Sequence, residues 1–134
     1  MTELSRDFQK ASMQRLTTAR FLLANDYNLD ALYLAGYSVE CSLKALILQA
    51  TPDPERPETL KTITSGKRGH DFEFLAGLLK DLKRRIPEPL VKKLRRAHWS
   101  TNLRYETGRT DTGETRAFLK TAEVIYDWVD GELP

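Results

Sequence analysis

The amino-acid sequence predicts an all-α protein, a bundle of four to five helices that run up and down. Apolar residues recur at spacings of three and four along most of the chain, which is the periodicity of amphipathic helices. No segment alternates apolar and polar residues with the period of two that marks a β-strand. Short turns between the segments favour antiparallel neighbours, so we expect one helical domain over residues 1–134.

The composition is typical of a soluble globular protein. The length allows a continuous buried core without disulfides or metals, and 40% of the residues are hydrophobic. The single cysteine, Cys41, has Val39 and Leu43 as apolar neighbours, which predicts a buried thiol. The charged N-terminal segment does not resemble a signal peptide, and the longest apolar run, at residues 45–48, is too short to cross a bilayer. We therefore expect a cytoplasmic protein that does not enter a membrane.

Two long helices are predicted in the first half of the chain. The first covers about residues 2–25, and the second covers residues 29–50 with Asn28 as its N-cap. The second helix carries an apolar seam with spacings of four and three, formed by Leu32, Gly36, Val39, Leu43, Leu46 and Ala50. Because glycine lowers helix stability, we expect Gly36 to permit the close approach of another backbone.

The second half predicts shorter elements after a long connection. Residues 51–69 contain three prolines, and the length of this stretch indicates a functional or mobile loop. Asp71 is the predicted N-cap of a helix that runs to Ile86 and is ended by Pro87. A short helix follows at about residues 89–97. Asp111 and Glu114 have the spacing of a capping box, which starts a last helix that ends near Gly131.

Positive charge is concentrated between residues 80 and 98, where eight basic residues face two acidic ones. Such asymmetry is typical of a surface that binds a polyanion. The alternative is a solvated helix face whose counter-charges come from elsewhere in the fold. The predicted phosphate-binding residues are Arg84, Arg85, Lys92, Lys93, Arg95 and Arg96.

A second candidate site is a polar stripe on the second helix, formed by Tyr33, Tyr37, Glu40 and Lys44. Glu40 and Lys44 have the favourable order of an i, i+4 ion pair, and we expect Glu40 also to pair with a buried Arg104. A purely structural role for this network and for the aromatic residues is the alternative. His70, His98 and Cys41 lack the spacing of metal ligands, and we expect neither a metal nor a cofactor.

Three stretches resemble HEPN-domain proteins. The strongest is the second helix at residues 31–47, which reads ALYLAGYSVECSLKALI. The stretch GHDFEFL at residues 69–75 is similar to the start of the third long HEPN helix. The stretch WSTNLRY at residues 99–105, with the helix at 118–129, is similar to the C-terminal part. The resemblance covers roughly residues 5–130.

The resemblance implies a helical bundle that commonly forms a homodimer. Many HEPN proteins are metal-independent ribonucleases and often toxins of toxin–antitoxin pairs, whereas others bind nucleotides or act beside a separately encoded nucleotidyltransferase. The ribonuclease branch carries an arginine and, after four to six intervening residues, a histidine. In that pair the arginine stabilises the pentavalent phosphate and the histidine moves a proton.

Arg104 resembles the family's arginine by position, but the histidine does not follow. Arg109, Thr110 and Asp111 occupy the three positions where it would stand, and no arginine precedes His70 or His98 at the required distance. The sequence therefore predicts a non-catalytic module that binds RNA, a nucleotide or a nucleotidyltransferase partner. Its predicted ligand-binding residues are Tyr33, Tyr37, Glu40, Lys44, Arg104 and Tyr105.

Two other functions are left open by the sequence. One is a divergent ribonuclease in which Arg104 acts with His98 or His70 in place of the missing histidine. The other is a structural interaction protein whose helix seam, centred on Gly36, joins two protomers. Loss of RNA cleavage on Arg104→Ala would support the first of these, and a tight dimer without polyanion affinity would support the second.

Overall fold

The computed structural model describes residues 3–108 and 110–134, and over these residues the protein is helical without a β-strand. The described residues form six α-helices: α1 (Glu3–Ala24), α2 (Asn28–Ala50), α3 (Arg56–Thr64), α4 (Phe72–Asp81), α5 (Glu88–Ala97) and α6 (Thr112–Glu132). Three short 3-10 segments lie between them, at Asp53–Glu55, Lys67–His70 and Thr101–Tyr105. The predicted all-α class is confirmed, and the helix count in this part of the chain is slightly above the predicted four to five. Position 109, where the family's histidine could stand, lies outside the described residues.

The central element is α2, which packs against α1, α4 and α6. Its seam residues Val39, Leu43 and Leu46 are completely buried. By length and composition α2 could cross a membrane, so the expectation that no segment is long enough was wrong. However, 72% of its most apolar window is buried inside the fold, which is typical of the core helix of a soluble domain.

Small polar side chains lie where α1 meets α2. The buried residues of α1 include Ser5, Gln9 and Ser12, whereas Leu4 is 42% exposed. The Ser12 hydroxyl donates to the Ser38 carbonyl oxygen at 2.7 Å, so this buried polar group is satisfied. A pattern of apolar spacings does not reveal that polar side chains are buried at this contact.

The stretch predicted as a loop, residues 51–69, is mostly helical, so that prediction was wrong. Pro57 lies in the first turn of α3, where proline is tolerated because its missing N–H has no helical partner. Ile63 at the other end of α3 is completely buried and anchors the helix to the core. Arg56 Nε donates to the Leu48 carbonyl oxygen at 2.9 Å, which ties the start of α3 to α2.

Helix boundaries differ from the prediction at two places. The α4 helix begins as expected, since the Asp71 carboxylate accepts from the Glu73 N–H at 2.9 Å, but it ends at Asp81 rather than Ile86. Lys83 adopts a positive φ of 63°, and the chain leaves the helical direction there. Ile86 is still buried, but it lies in a non-helical segment after α4. Asn28 is not an N-cap: it is the first residue of α2, and its amide donates to Thr112 Oγ1 of α6 at 2.7 Å.

The last helix, α6, begins as predicted and ends slightly later. The Asp111 side chain accepts a hydrogen bond from the Glu114 N–H at 2.8 Å, which confirms the predicted cap. The helix continues through Gly131 to Glu132. Phe118, Ile125 and Val129 are buried, and their spacing is that of one face of a helix.

Gly36 contacts an indole ring and not a backbone, contrary to expectation. A Cβ at this position would lie 1.9 Å from Cε2 of Trp99, so any side chain would collide with the ring. Trp99 is 8% exposed, and its Nε1 donates to the carbonyl oxygens of Leu32 and Tyr33 at 3.2 Å each. The chain's own tryptophan therefore occupies the seam at Gly36, so the seam offers no free surface there, and a homodimer stays a prediction.

Candidate functional site

A groove with a volume of about 620 Å³ lies between α4, α5 and residues 98–102. Two of its lining residues, Phe72 and Trp99, stack with ring centroids 5.1 Å apart and an angle of 14° between the rings. Ala76, Val91 and Leu94 extend this apolar floor. The groove therefore combines an aromatic floor with walls that belong to two helices and two 3-10 segments.

His70 lines the groove and is held from behind by a buried carboxylate. His70 Nδ1 lies 2.8 Å from Glu40 Oε1, and Lys44 Nζ donates to the other oxygen, Oε2, at 2.8 Å. The side chains of Glu40 and Lys44 are 5% and 6% exposed, whereas that of His70 is 40% exposed. Because an ionised carboxylate can only accept a hydrogen bond, Nδ1–H is the donor in this contact, and Nε2 is the ring nitrogen that His70 offers to a ligand.

The predicted pair between Glu40 and Arg104 does not form. Both oxygens of Glu40 are bonded to Lys44 and His70, and Arg104 is exposed on the 3-10 segment Thr101–Tyr105. The Arg104 guanidinium lies 4.8 Å from the centre of the Tyr105 ring, which is 73% exposed. A hydrogen bond to Tyr105 raises the Arg104 pKa further above its usual range, so this arginine is a permanent surface cation.

The tyrosines of the polar stripe belong to an aromatic cluster beside the groove. The Tyr33 hydroxyl donates to the Tyr37 hydroxyl at 3.4 Å, and the Tyr37 ring makes edge contacts with His70 and Trp99 at centroid distances of 5.9 and 5.4 Å. Burial, followed by the hydrogen bond from Tyr33, raises the Tyr37 pKa well above its usual range. Tyr37 is therefore a neutral packing partner of His70.

The predicted phosphate-binding residues are all exposed. Arg84 and Arg85 lie in the turn before α5, and Lys92, Lys93 and Arg96 lie on α5 itself. Arg95 differs, since its Nε and Nη2 donate to the two Glu73 oxygens at 2.5 and 3.2 Å. This bond lowers the Glu73 pKa, and the exposed pair is screened by water.

The groove carries charges of both signs along its rim. Its lining residues include Lys67, Arg95, Asp71 and Glu73 as well as both histidines. The Asp71 carboxylate caps α4 and Glu73 is bonded to Arg95, so each acid has a structural partner. His98 lines the groove as an exposed residue at the C-terminal end of α5.

Several groove residues were missed by the sequence analysis. Lys67 belongs to the stretch predicted as a loop, and Phe72 is the residue that follows the predicted cap Asp71. Ser100, Thr101 and Asn102 also line the groove, although their stretch was considered only for its resemblance. Glu40 and Lys44, predicted to contact a ligand, are instead 4% exposed each and act behind His70.

Cys41 is half-buried, and its thiol pKa is raised to about 11, first by burial and then by the charge of Glu40. The thiolate is the reactive form, so the native thiol is protonated throughout the neutral range. We expect iodoacetamide to modify native Cys41 about 100-fold more slowly at pH 7.5 than the urea-unfolded chain, given the ordinary value of 9.0. The native rate should rise roughly tenfold per pH unit up to the raised pKa. Equal rates in both states, measured by mass spectrometry, would contradict this prediction.

Potential metal ligands are dispersed in the fold. Within residues 3–108 and 110–134, no group of three or more His, Cys, Asp or Glu side chains is arranged to hold a metal ion.

The helical bundle and its groove define a class of small all-α domains, and the family follows from comparison with known proteins. The HEPN domain family matches residues 5–132, and the chain belongs to this family. HEPN domains have RNA-binding or ribonuclease roles. Neither the curated proteins nor the solved structures contain a significant match to this chain.

Proposed function

We propose that this protein is an RNA-binding HEPN domain that holds single-stranded RNA along α5 and inserts a base into the groove. The observation that carries the proposal is the position of a groove with an aromatic floor directly beside a basic helix. Val91, Leu94 and Arg95 of α5 line the groove, while Lys92 and Arg96 follow on the neighbouring exposed face.

The exposed face of α5 supplies attraction for a phosphate backbone. Lys92, Lys93 and Arg96 have no carboxylate within ion-pairing distance among the described pairs, and the helix buries only Leu90 and Leu94. Cations in such an arrangement bind phosphates mainly by releasing counterions, so the affinity depends steeply on salt. Arg84 and Arg85 extend the same positive charge before the helix begins.

The groove has the size and chemistry for a nucleobase. Its volume of about 620 Å³ lies within the usual range of small-molecule sites. Phe72 is half-buried and contributes an aromatic surface, and bases stack on such surfaces when they are not paired. Ser100, Thr101 and Asn102 offer hydrogen-bonding groups at the rim. Arg104 and Tyr105 continue this segment and extend the proposed site beyond the groove.

The proposal predicts salt-dependent binding that is lost when the cations of α5 are removed. We expect the triple substitution of Lys92, Lys93 and Arg96 by alanine to weaken the binding of labelled single-stranded RNA at least tenfold, measured by fluorescence anisotropy from 50 to 300 mM salt. The slope of affinity against salt should also become shallower, because fewer phosphates are neutralised.

A matched control removes the same charge elsewhere. Lys10, Lys61 and Lys120 are exposed on α1, α3 and α6, and their substitution by alanine should change the affinity less than threefold. Equal losses in both triple variants would reveal attraction by net charge alone. Absence of RNA binding by the parent protein at low salt would overturn the proposed function.

Several further properties stay predictions from the family resemblance. They are a homodimer, a nucleotide ligand, a separately encoded nucleotidyltransferase partner and a toxin–antitoxin role. A cytoplasmic location stays a prediction from the sequence itself. The basic face of α5 supports a polyanionic ligand more directly than a protein partner. An affinity for mononucleotides comparable to that for RNA would favour the nucleotide-binding alternative.

A further inference from the structure

We propose that Glu73 occupies the phosphate site of Arg95 in the free protein, and that a phosphate of the bound RNA displaces it. The proposal rests on the RNA-binding function above and identifies a residue that limits the affinity of the groove. Of the predicted phosphate-binding residues, all of which the structure describes, Arg95 alone is bonded to a carboxylate. Its site is therefore already filled by the chain itself.

The Glu73 carboxylate lies where Arg95 would hold a phosphate. Arg95 Nε and Nη2 donate to the two carboxylate oxygens at 2.5 and 3.2 Å. These two N–H groups are the planar fork with which a guanidinium also binds two oxygens of a phosphate. Glu73 and an RNA phosphate therefore need the same donors, and only one of them can be bound at this edge of the guanidinium.

The ion pair joins the two helical walls of the groove. Glu73 lies in the first turn of α4 and Arg95 in the last turn of α5, and both line the groove together with Phe72. A nucleotide whose base stacks on Phe72 thus enters the groove that contains the pair. While the pair is closed, the negative charge of Glu73 also repels the phosphate of that nucleotide.

The pair can open at little cost to the fold. The side chains of Arg95 and Glu73 are 56% and 55% exposed, and ion pairs so exposed contribute little to stability. Glu40 and Lys44 form a contrasting pair, because their side chains are 5% and 6% exposed and their separation would leave buried charges unpaired. When a phosphate displaces Glu73, water solvates the released carboxylate and Arg95 keeps an anionic partner.

Glu73→Gln is the direct test, because glutamine has a similar volume but no negative charge to hold Arg95. We expect the full-length variant to bind labelled single-stranded RNA at least about threefold more tightly at the lowest salt of the series, since an exposed ion pair no longer competes. The slope of log affinity against log salt should steepen by about 0.7, the contribution of one phosphate in a single strand. An affinity that is unchanged or lower, in a variant whose urea unfolding matches the parent, would overturn the inference.

Glu88→Gln is the matched control. Glu88 Oε1 lies 4.0 Å from Nη1 of the same guanidinium and its side chain is 58% exposed, but Glu88 is not among the residues that line the groove. The same loss of charge should therefore change the RNA affinity by less than about 1.5-fold, because exposed charges are screened by salt. An equal gain in Glu73→Gln and Glu88→Gln would indicate general repulsion and overturn the displacement of Glu73.

Arg95→Met separates the release of Arg95 from the loss of repulsion. With no guanidinium to release, Glu73→Gln should raise the RNA affinity less in the Arg95→Met background than in the parent. If Glu73 acted only by repelling RNA, its unpaired charge in Arg95→Met would make the gain larger, and that result contradicts the proposal. The NMR signal of the Glu73 carboxyl carbon gives a direct readout, since it should shift when RNA is added to the parent. A Glu73 signal that does not move in the RNA-bound protein also contradicts it.

The failure of this inference differs from the failure of the proposed function. Absence of RNA binding by the parent at low salt overturns both. Binding that is weakened by the triple substitution on α5 but unchanged by Glu73→Gln leaves the proposed function standing and overturns the displacement of Glu73.

Discussion

Replacement of Lys44 by methionine is expected to lower the free energy of unfolding by about 3–5 kcal/mol, the range for a buried charge left without its partner. Lys44 is 4% exposed and binds Glu40 Oε2 at 2.8 Å. Methionine fills a similar volume, so the loss arises from the charge and not from a cavity. Urea denaturation at pH 7, followed by circular dichroism, measures the effect.

Two control variants separate the charge from other effects. The double variant Glu40→Gln/Lys44→Met removes both charges and should recover most of the lost free energy, since a buried ion pair can be replaced at little cost. Lys61→Met on α3 removes an exposed cation and should change the free energy by less than about 0.5 kcal/mol. A double variant as unstable as Lys44→Met would contradict the prediction.

Local patterns in the sequence were sufficient for much of the fold. The spacing of the α2 seam and the caps at Asp71 and Asp111 are confirmed, because each depends on residues within one or two helical turns. The early end of α4 was not predictable from periodicity, since Leu82 and Ile86 continue the apolar spacing. The reversal at Lys83 follows from how the chain packs, which local spacing does not encode.

The candidate site was predictable only in part. The pair of Glu40 and Lys44 follows from the i, i+4 rule and is confirmed. The predicted pair of Glu40 with Arg104 was wrong. His70, which is 30 residues from Glu40 in the chain, contacts the Glu40 carboxylate instead. The groove itself depends on residues from two helices and two 3-10 segments, so its location required the tertiary structure.

Trp99→Ala is expected to lower the free energy of unfolding by about 3–5 kcal/mol, the usual cost of removing a buried tryptophan side chain. The indole lies against Gly36, stacks on Phe72 and donates to two α2 carbonyl oxygens. Its removal leaves a cavity beside α2 and removes part of the groove floor. Chemical denaturation measures the first effect, and RNA affinity measures the second.

Gly36→Ala tests whether the tryptophan is the reason for this glycine. Because the new Cβ would lie 1.9 Å from the indole, the single substitution should cost about 1–3 kcal/mol, as overpacking of a core does. In the Trp99→Ala background the clash is absent, and the same substitution should stabilise α2 by up to about 1 kcal/mol, the difference in helix propensity.

Gly77→Ala is the matched control, since Gly77 lies within α4 and a Cβ there meets no atom within 4 Å. It should stabilise the protein by up to about 1 kcal/mol in either background, because only helix propensity changes. The sign reversal at Gly36 but not at Gly77 would show that the helix has a glycine there to admit the indole. Additive effects of Gly36→Ala and Trp99→Ala would contradict that interpretation and indicate that the ring moves aside.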